Sequence, residues 1–209
     1  MISILTPTRG RPDMARRMMD SAGEGHEFLF YVDDDDPQKD NYDVPHVVGP
    51  RARLGVVWNY LARKAKGDYL MMGNDDLIFR SENWAERLQE VLPSDEIGVA
   101  CFDDGINQGR HFAFPIITRR WYELVGQFTA EVFTFGFHDT WIFDIANRVA
   151  RAYYIGDVLV EHIHPTTGGR PADKTFNERN WGVDPQIFEG TAMMRADIAK
   201  MLIFEGGMK

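Results

Sequence analysis

Three short apolar runs in the first half of the chain stop abruptly in turn-forming or acidic residues. Residues 2–5 break at Thr6-Pro7-Thr8-Arg9-Gly10-Arg11-Pro12, residues 27–32 at Asp33-Asp34-Asp35-Asp36-Pro37, and residues 69–72 at Gly73-Asn74-Asp75-Asp76. Helical stretches lie between them. Residues 13–22 follow Pro12, which suits a first helical turn. Residues 54–66 carry Leu54, Val57, Trp58, Leu61, Ala62 and Ala65 at helical spacing, with Arg63, Lys64 and Lys66 on the other face and Gly67 as the stop. Buried strands alternating with helices close around one core as a mostly parallel α/β sheet.

The rest of the chain is less regular. Residues 44–48, 97–102, 111–117, 153–155 and 158–163 read as strands. Ser81 is placed to cap a helix carrying Trp84, Leu88 and Val91. Residues 118–125, closed by Gly126, and 140–150 read as helices. A Gly/Pro-rich stretch over 165–171 leads to a polar segment and a last amphipathic helix over 192–204.

In such a sheet, ligands bind beyond the carboxyl ends of the strands, which is where the acidic clusters fall. Side chains two apart on a strand share a face, so Asn74 and Asp76 can serve one site, with Asp75 between them. A hard divalent cation is often held by one or two carboxylates plus substrate phosphates, and Asp76 suffices for that. Read alone, Gly73-Asn74-Asp75-Asp76 is equally good turn chemistry. The first carboxylate after residues 27–32, Asp33 or Asp34, is placed to accept a hydrogen bond from a nucleobase imide or a ribose hydroxyl, with Asp35 and Asp36 facing solvent. His162 and His164 would share one strand face, and a histidine there could complete a metal site with Asp76 or pack a sheet edge. Asp139 heads a helix, as a plain N-cap or as a general base in a cleft.

Taken in chain order, these segments resemble GT-A fold glycosyltransferases, particularly the family 2 type. Ile-Ser-Ile-Leu-Thr-Pro-Thr-Arg-Gly-Arg is similar to their opening strand and nucleotide-contact loop, and Tyr-Val-Asp-Asp-Asp to their donor-base contact. The stretch from Leu54 to Asp76 is similar to the helix, strand and DXD element, His138-Asp139 to the acidic dipeptide that ends in the catalytic base, and Glu-His-Ile-His-Pro to the late metal-binding histidine. The resemblance covers residues 1–165. It implies an α/β GT-A fold, Rossmann-like, with a mixed, mostly parallel central sheet flanked by helices. The nucleotide-sugar-binding half spans about 1–102, and the acceptor-side half with a C-terminal extension about 103–209, in one catalytic domain. It implies donor contacts from Thr6, Thr8, Arg9, Asp33, Asp34, Arg53, Asn59, Asn74 and Asp75, and Mn²⁺ or Mg²⁺ on Asp76 with His162 or His164. Asp139 is the implied base of an inverting transfer from a nucleoside diphosphate sugar, UDP favoured, to a hydroxyl of a glycan, a protein or a modified nucleobase. The first DXD position departs from the pattern: it is the amide Asn74.

Composition sets the remaining bounds. A net charge of −9 and a pI near 5.1 give no support to stable nucleic-acid binding, so an anionic substrate needs local positive charge, from a metal or from Arg9, Arg11 or Arg53. Cys101 is the only cysteine, so no intrachain disulfide forms, and its apolar surroundings predict an inert buried thiol. No apolar run approaches the ~20 residues of a membrane span, and a cytoplasmic setting is expected. A sugar nucleotidyltransferase would carry a Gly-rich phosphate loop with a lysine after its first strand, where this chain has Thr-Pro-Thr-Arg-Gly-Arg-Pro. A non-catalytic nucleotide- or carbohydrate-binding module is the other alternative.

Overall fold

A computed structural model describes residues 1–180 and 182–207. Its strands are β1 (Ile2–Thr8), β2 (Glu27–Asp33), β3 (His46–Gly49), β4 (Tyr69–Met72), β5 (Leu77–Phe79), β6 (Val99–Asp103), β7 (Ile116–Thr118) and β8 (Ala152–His162). Its helices are α1 (Pro12–Ala22), α2 (Leu54–Lys64), α3 (Trp84–Val91), α4 (Arg119–Val125), α5 (His138–Arg148), α6 (Lys174–Asn177), α7 (Asp184–Gly190) and α8 (Ala192–Glu205). One sheet of order β3-β2-β1-β4-β7-β6-β8-β5 contains all eight strands. The β3-β2-β1-β4 half is parallel throughout, β6 also runs parallel to β8, and β7 and β5 are antiparallel to their neighbours. The sheet is therefore mixed and mostly parallel with flanking helices, as the sequence predicts.

Period-two alternation divides the core between the two faces of the sheet. Leu5, Leu70 and Met72 join Trp58 and Leu61 of α2 and Trp141 and Ile145 of α5 in one buried cluster. Ile2, Ile4, Tyr69 and Met71 join Met18 of α1 and Trp84 and Leu88 of α3 in the other. Both faces of β1 and β4 are thus buried, which fixes their ends, and with them the loops after Thr8 and Met72. Gly73 must be glycine there: a Cβ would run into the Thr6 hydroxyl and stand 2.8 Å from Ile4 Cγ2.

Several local expectations change. Residues 77–79, which the sequence assigns to no element, form β5, because Leu77, Ile78 and Phe79 are buried against β8. The two short strands expected over 153–163 are one strand, β8, which crosses Gly156 without breaking. The strand expected over 111–117 shrinks to β7, and residues 111–115 are irregular. Ser81 does not cap α3; its Oγ accepts from Leu159 N at 3.0 Å and ties the β5–α3 loop to β8. The last helix is not amphipathic: the charged Arg195 is buried beside Ala199 and Leu202, while Met193 and Phe204 are exposed. Among the described residues no helix is long and apolar enough to cross a membrane.

Candidate active site

The loops after β1, β2 and β4 meet at the carboxyl ends of the parallel strands. Asp36, expected in solvent, is buried and holds this junction together. Its carboxylate accepts from Gly10 N (2.7 Å), Gln38 N (2.9 Å) and the Tyr42 hydroxyl (3.0 Å), so it binds the β2 loop to the β1 loop. Burial pushes the Tyr42 hydroxyl up to about 12, which keeps it a neutral donor.

A cavity of about 450 Å³ opens against these loops, lined by Thr8, Arg9, Tyr31, Asp33, Arg51, Arg53, Asn74 and Asp75 among others. Of the two candidate acids after β2, Asp33 faces this cavity. Burial raises its pKa, against the pull of Arg9, whose Nη1 lies 3.2 Å away. Asp34 is exposed, lies outside the cavity and is held by its backbone, with its N–H donating to Gly49 O at 2.7 Å. Arg9 also pairs with Asp35.

A second cavity of about 240 Å³ adjoins the first, and Arg11, Leu54, Asn74, Phe135 and Thr175 line both. Asp76, Asp139, His162 and His164 line this second cavity, so residues far apart in sequence meet around one space. The unpredicted strand β5 causes part of that convergence. Its register sets Leu77 opposite His162, and Ile163 N donates to Asp76 O at 2.9 Å, which brings the two side chains together.

The two carboxylates after β4 are buried but differently held. Asp75 accepts from Thr8 Oγ1 (2.7 Å) and Arg11 Nη1 (2.9 Å). Burial, with Asp76 alongside, pushes its carboxyl up to about 6. For Asp76 burial acts in the same direction, but His162, Arg11 and Arg170 outweigh it and hold the carboxyl below the usual range. Asp76 Oδ2 lies 3.3 Å from Arg170 Nη2, whereas Asp76 Oδ1 is buried without a hydrogen bond, with His162 Nε2 3.4 Å away.

Among the described residues no group of three or more His, Cys, Asp or Glu is arranged to hold a metal. Asp76 Oδ1 and His162 Nε2 nevertheless suit a shared cation. Two adjacent ligands at bond lengths of ~2.0–2.2 Å stand about 3 Å apart around an octahedral ion, and an orphaned buried acceptor needs a partner. Phosphate and water oxygens would supply the remaining positions. Both ring nitrogens of His164 are engaged elsewhere: its Nδ1 meets Thr166 Oγ1 at 2.6 Å and its Nε2 faces Arg179 Nη1 at 3.4 Å.

Asp139 lies in the first turn of α5, where Oδ1 accepts from Thr140 N at 2.7 Å and Oδ2 meets His111 Nε2 at 2.8 Å. Its neighbour His138 belongs to the core, 2% exposed, packed edge-on to Trp58 and Phe133, and burial pushes it down to about 4. Besides Asp34, two expected donor contacts lie outside both cavities. Asn59 is buried in α2 and its amide is used up by the 128–131 loop: Oδ1 accepts from Phe128 N (2.8 Å) and Thr129 N (3.1 Å), and Nδ2 donates to Thr129 O (2.9 Å) and Glu131 Oε1 (3.0 Å). Thr6 is buried within β1, where its side chain abuts Gly73. Cys101 is buried, and burial pushes its thiol up to about 12, so it is inert as expected.

Sequence reasoning missed the segment beyond residue 165, which lies across the cleft. Arg11 makes a two-pronged pair with Asp173 (2.7 and 2.8 Å), Arg170 bridges Asp173 (3.1 Å) and Asp76, and Thr175 Oγ1 donates to Arg9 O (2.9 Å). Despite burial, Arg11 holds the Asp173 carboxyl down to about 2. The signal in the sequence was the Gly/Pro-rich break over 165–171 and the polar segment after it.

Asp184 was missed too. It is fully buried and accepts from the backbone N–H groups of Thr134 (2.7 Å), Phe135 (2.8 Å) and Gly136 (2.9 Å), shaping the wall shared by both cavities. Replacing it with alanine leaves those donors short of an ionised acceptor and should cost about 3 kcal/mol or more, read from urea unfolding at pH 7. Burial opposes ionisation, but the three N–H groups prevail and depress its folded pKa. The contribution is therefore present above the unfolded pKa near ~3.9 and is lost as pH falls through the folded value. The gap between wild type and Asp184→Ala should accordingly narrow in strong acid.

No family model and no curated protein sequence matches the chain; its likenesses are structural. The mannosyltransferase PcManGT from Pyrobaculum calidifontis, in complex with GDP-Man and Mn²⁺, superposes with a TM-score of 0.60 at 14% identity, over 77% of this chain and 56% of that one. S. aureus TarS 1–349 in complex with UDP-GlcNAc gives 0.63 at 9% identity, over 86% and 61%. The Drosophila β1,4-galactosyltransferase 7 catalytic domain in complex with xylobiose gives 0.57 at 16% identity, over 83% and 74%. The chain thus spans less than two thirds of the first two.

Proposed function

We propose that this chain, which has the GT-A fold, is a metal-dependent glycosyltransferase that moves a sugar from a nucleoside diphosphate sugar to a hydroxyl acceptor with inversion. One observation carries this: Asp76 and Asp139 line one small cavity that shares Arg11, Leu54, Asn74, Phe135 and Thr175 with a larger one lined by Asp33. That succession suits a donor whose nucleoside lies in the larger cavity, whose diphosphate lies at the junction and whose sugar lies between the two aspartates. The structural neighbours carry GDP-Man with Mn²⁺ and UDP-GlcNAc, which supports this donor class and cofactor. UDP remains the favoured nucleotide.

Each residue then has a task. Asp33 accepts a hydrogen bond from the base or ribose, and Tyr31 and Arg53 bound the same space. Arg11, whose fork is held by Asp173, adds positive charge beside the diphosphate at the junction. Asp76 and His162 hold Mn²⁺ or Mg²⁺, which supplies positive charge to the departing diphosphate. Asp139 takes the proton of the acceptor hydroxyl. That oxygen's electron pair forms the new bond to the anomeric carbon, while the bond to the diphosphate oxygen breaks and its electrons leave with the nucleoside diphosphate.

The first test needs no acceptor. UDP with Mn²⁺ should raise the melting temperature more than UDP alone or UDP with EDTA, and GDP and TDP should shift it less. A ligand at 100 times its Kd stabilises by about 2.7 kcal/mol. Release of UDP from a nucleotide sugar separates an enzyme from a binding module: a Mn²⁺-dependent melting shift with no turnover on any donor and acceptor panel would leave only binding.

A further inference from the structure

Asp139 sits in the first turn of α5, and both of its oxygens are engaged by residues that do not line the cavity. Oδ1 accepts from Thr140 N (2.7 Å) and Thr140 Oγ1 (3.2 Å), while Oδ2 meets His111 Nε2 at 2.8 Å. An ionised carboxylate only accepts, so Nε2 carries the proton in that contact. His111 comes from the irregular segment ahead of β7, and that segment is docked on α5: Phe112 stacks on Phe143 at 4.4 Å, and His111 meets the edge of the same ring at 5.9 Å. Asp104, buried at the end of β6, starts the loop by accepting from Ile106 N (2.9 Å) and Asn107 N (2.6 Å). His111 does not itself line the cavity that Asp139 lines.

We propose that His111 is a positioning residue for the base: from behind Asp139 it fixes Oδ2 while Thr140 fixes Oδ1, setting the carboxylate plane toward the acceptor hydroxyl. This rests on the glycosyl-transfer function given above. Each carboxylate oxygen offers about two acceptor directions, so two outside donors turn the group without exhausting it. The charged groups facing the imidazole are Asp139 on α5 and Asp104 on the β6 loop; burial opposes its protonation, but these acids outweigh it and raise its pKa. Without His111, Asp139 would keep only its hold at Oδ1 and could rotate about that oxygen. A misplacement of about 1 Å at a reacting group can cost ~100-fold in rate.

The test uses the full chain with Mn²⁺ and UDP-galactose or UDP-N-acetylglucosamine, following UDP release, beside NMR titration of the His111 imidazole. His111→Ala should lower kcat at least about 10-fold with the donor KM within about twofold. His111→Gln, whose amide N–H reaches a similar position, should recover most of that loss. The His111 imidazole should titrate at higher pH in wild type than in Asp139→Asn. The proposal is overturned if His111→Ala turns over like wild type, if glutamine rescues nothing, or if the imidazole titrates alike in both proteins. Should wild type release no UDP from any nucleotide sugar, glycosyl transfer falls instead, and the imidazole titration alone then decides whether His111 and Asp139 are coupled.

Discussion

Asp139→Asn should lower the rate of sugar transfer by about 10³-fold while UDP and Mn²⁺ bind as in wild type. General-base catalysis contributes ~10²–10⁴-fold, and the isosteric amide removes the proton acceptor without emptying the space. The fold should tolerate the change. Asp139 is not the N-cap of α5, which is Phe137, and asparagine still offers an oxygen to Thr140 N. The contact with His111 changes character, because an amide nitrogen facing Nε2 would oppose one donor to another. Single-turnover rates with matched calorimetric titrations of UDP measure both sides of this expectation. A variant that transfers sugar within tenfold of wild type would remove Asp139 from the base's role.

The second large effect is expected from Asp76→Ala, which should weaken Mn²⁺-dependent UDP binding by at least about 100-fold. Even partners one layer beyond a metal's ligands cost ~10–100-fold in metal affinity. The same change strands neighbours that the carboxylate now serves. Arg170, only 10% exposed in its side chain, keeps Asp173 at 3.1 Å but loses Asp76, and removing one partner of a buried pair costs about 3–5 kcal/mol. Melting temperature and metal affinity should therefore fall together. His162→Ala should reduce metal affinity with a smaller loss of stability, since Arg170 and Asp76 stay paired. If Mn²⁺ still strengthens UDP binding in Asp76→Ala, the metal lies elsewhere.

What could be read in the sequence follows from which interactions are local. Apolar runs that end in acidic loops, and the helical spacing of Leu54, Val57, Trp58 and Leu61, are visible in a window of a few residues. The parallel half of the sheet and the positions of Asp33, Asp75 and Asp76 at strand ends were legible for that reason. Strand β5 was not, because three apolar residues after Asn74-Asp75-Asp76 become a strand only by pairing with β8, about 80 positions on. Asn59 shows the same limit from the opposite side: the resemblance implies a donor contact, but the 128–131 loop claims its amide. His111, Arg170, Asp173 and Asp184 act through partners that are distant in the chain, and no local pattern marks them. The aspartate tetrad was half legible, since nothing in four identical residues tells that Asp33 faces the cleft and Asp36 goes inside.

The pairing of β5 with β8 makes His162 sensitive to chain length as well as to residue type. Leu77 opposes His162 and Phe79 opposes Val160, with a side-chain repeat of two. One residue inserted between Val160 and His162 would send every later side chain to the opposite face and carry His162 away from Asp76 with no change to the imidazole itself. Inserting two residues would restore the face but move the ring along the strand by about 6.6 Å, beyond the reach of one ion. For this strand the count of residues is therefore as much a part of the site's chemistry as their identity.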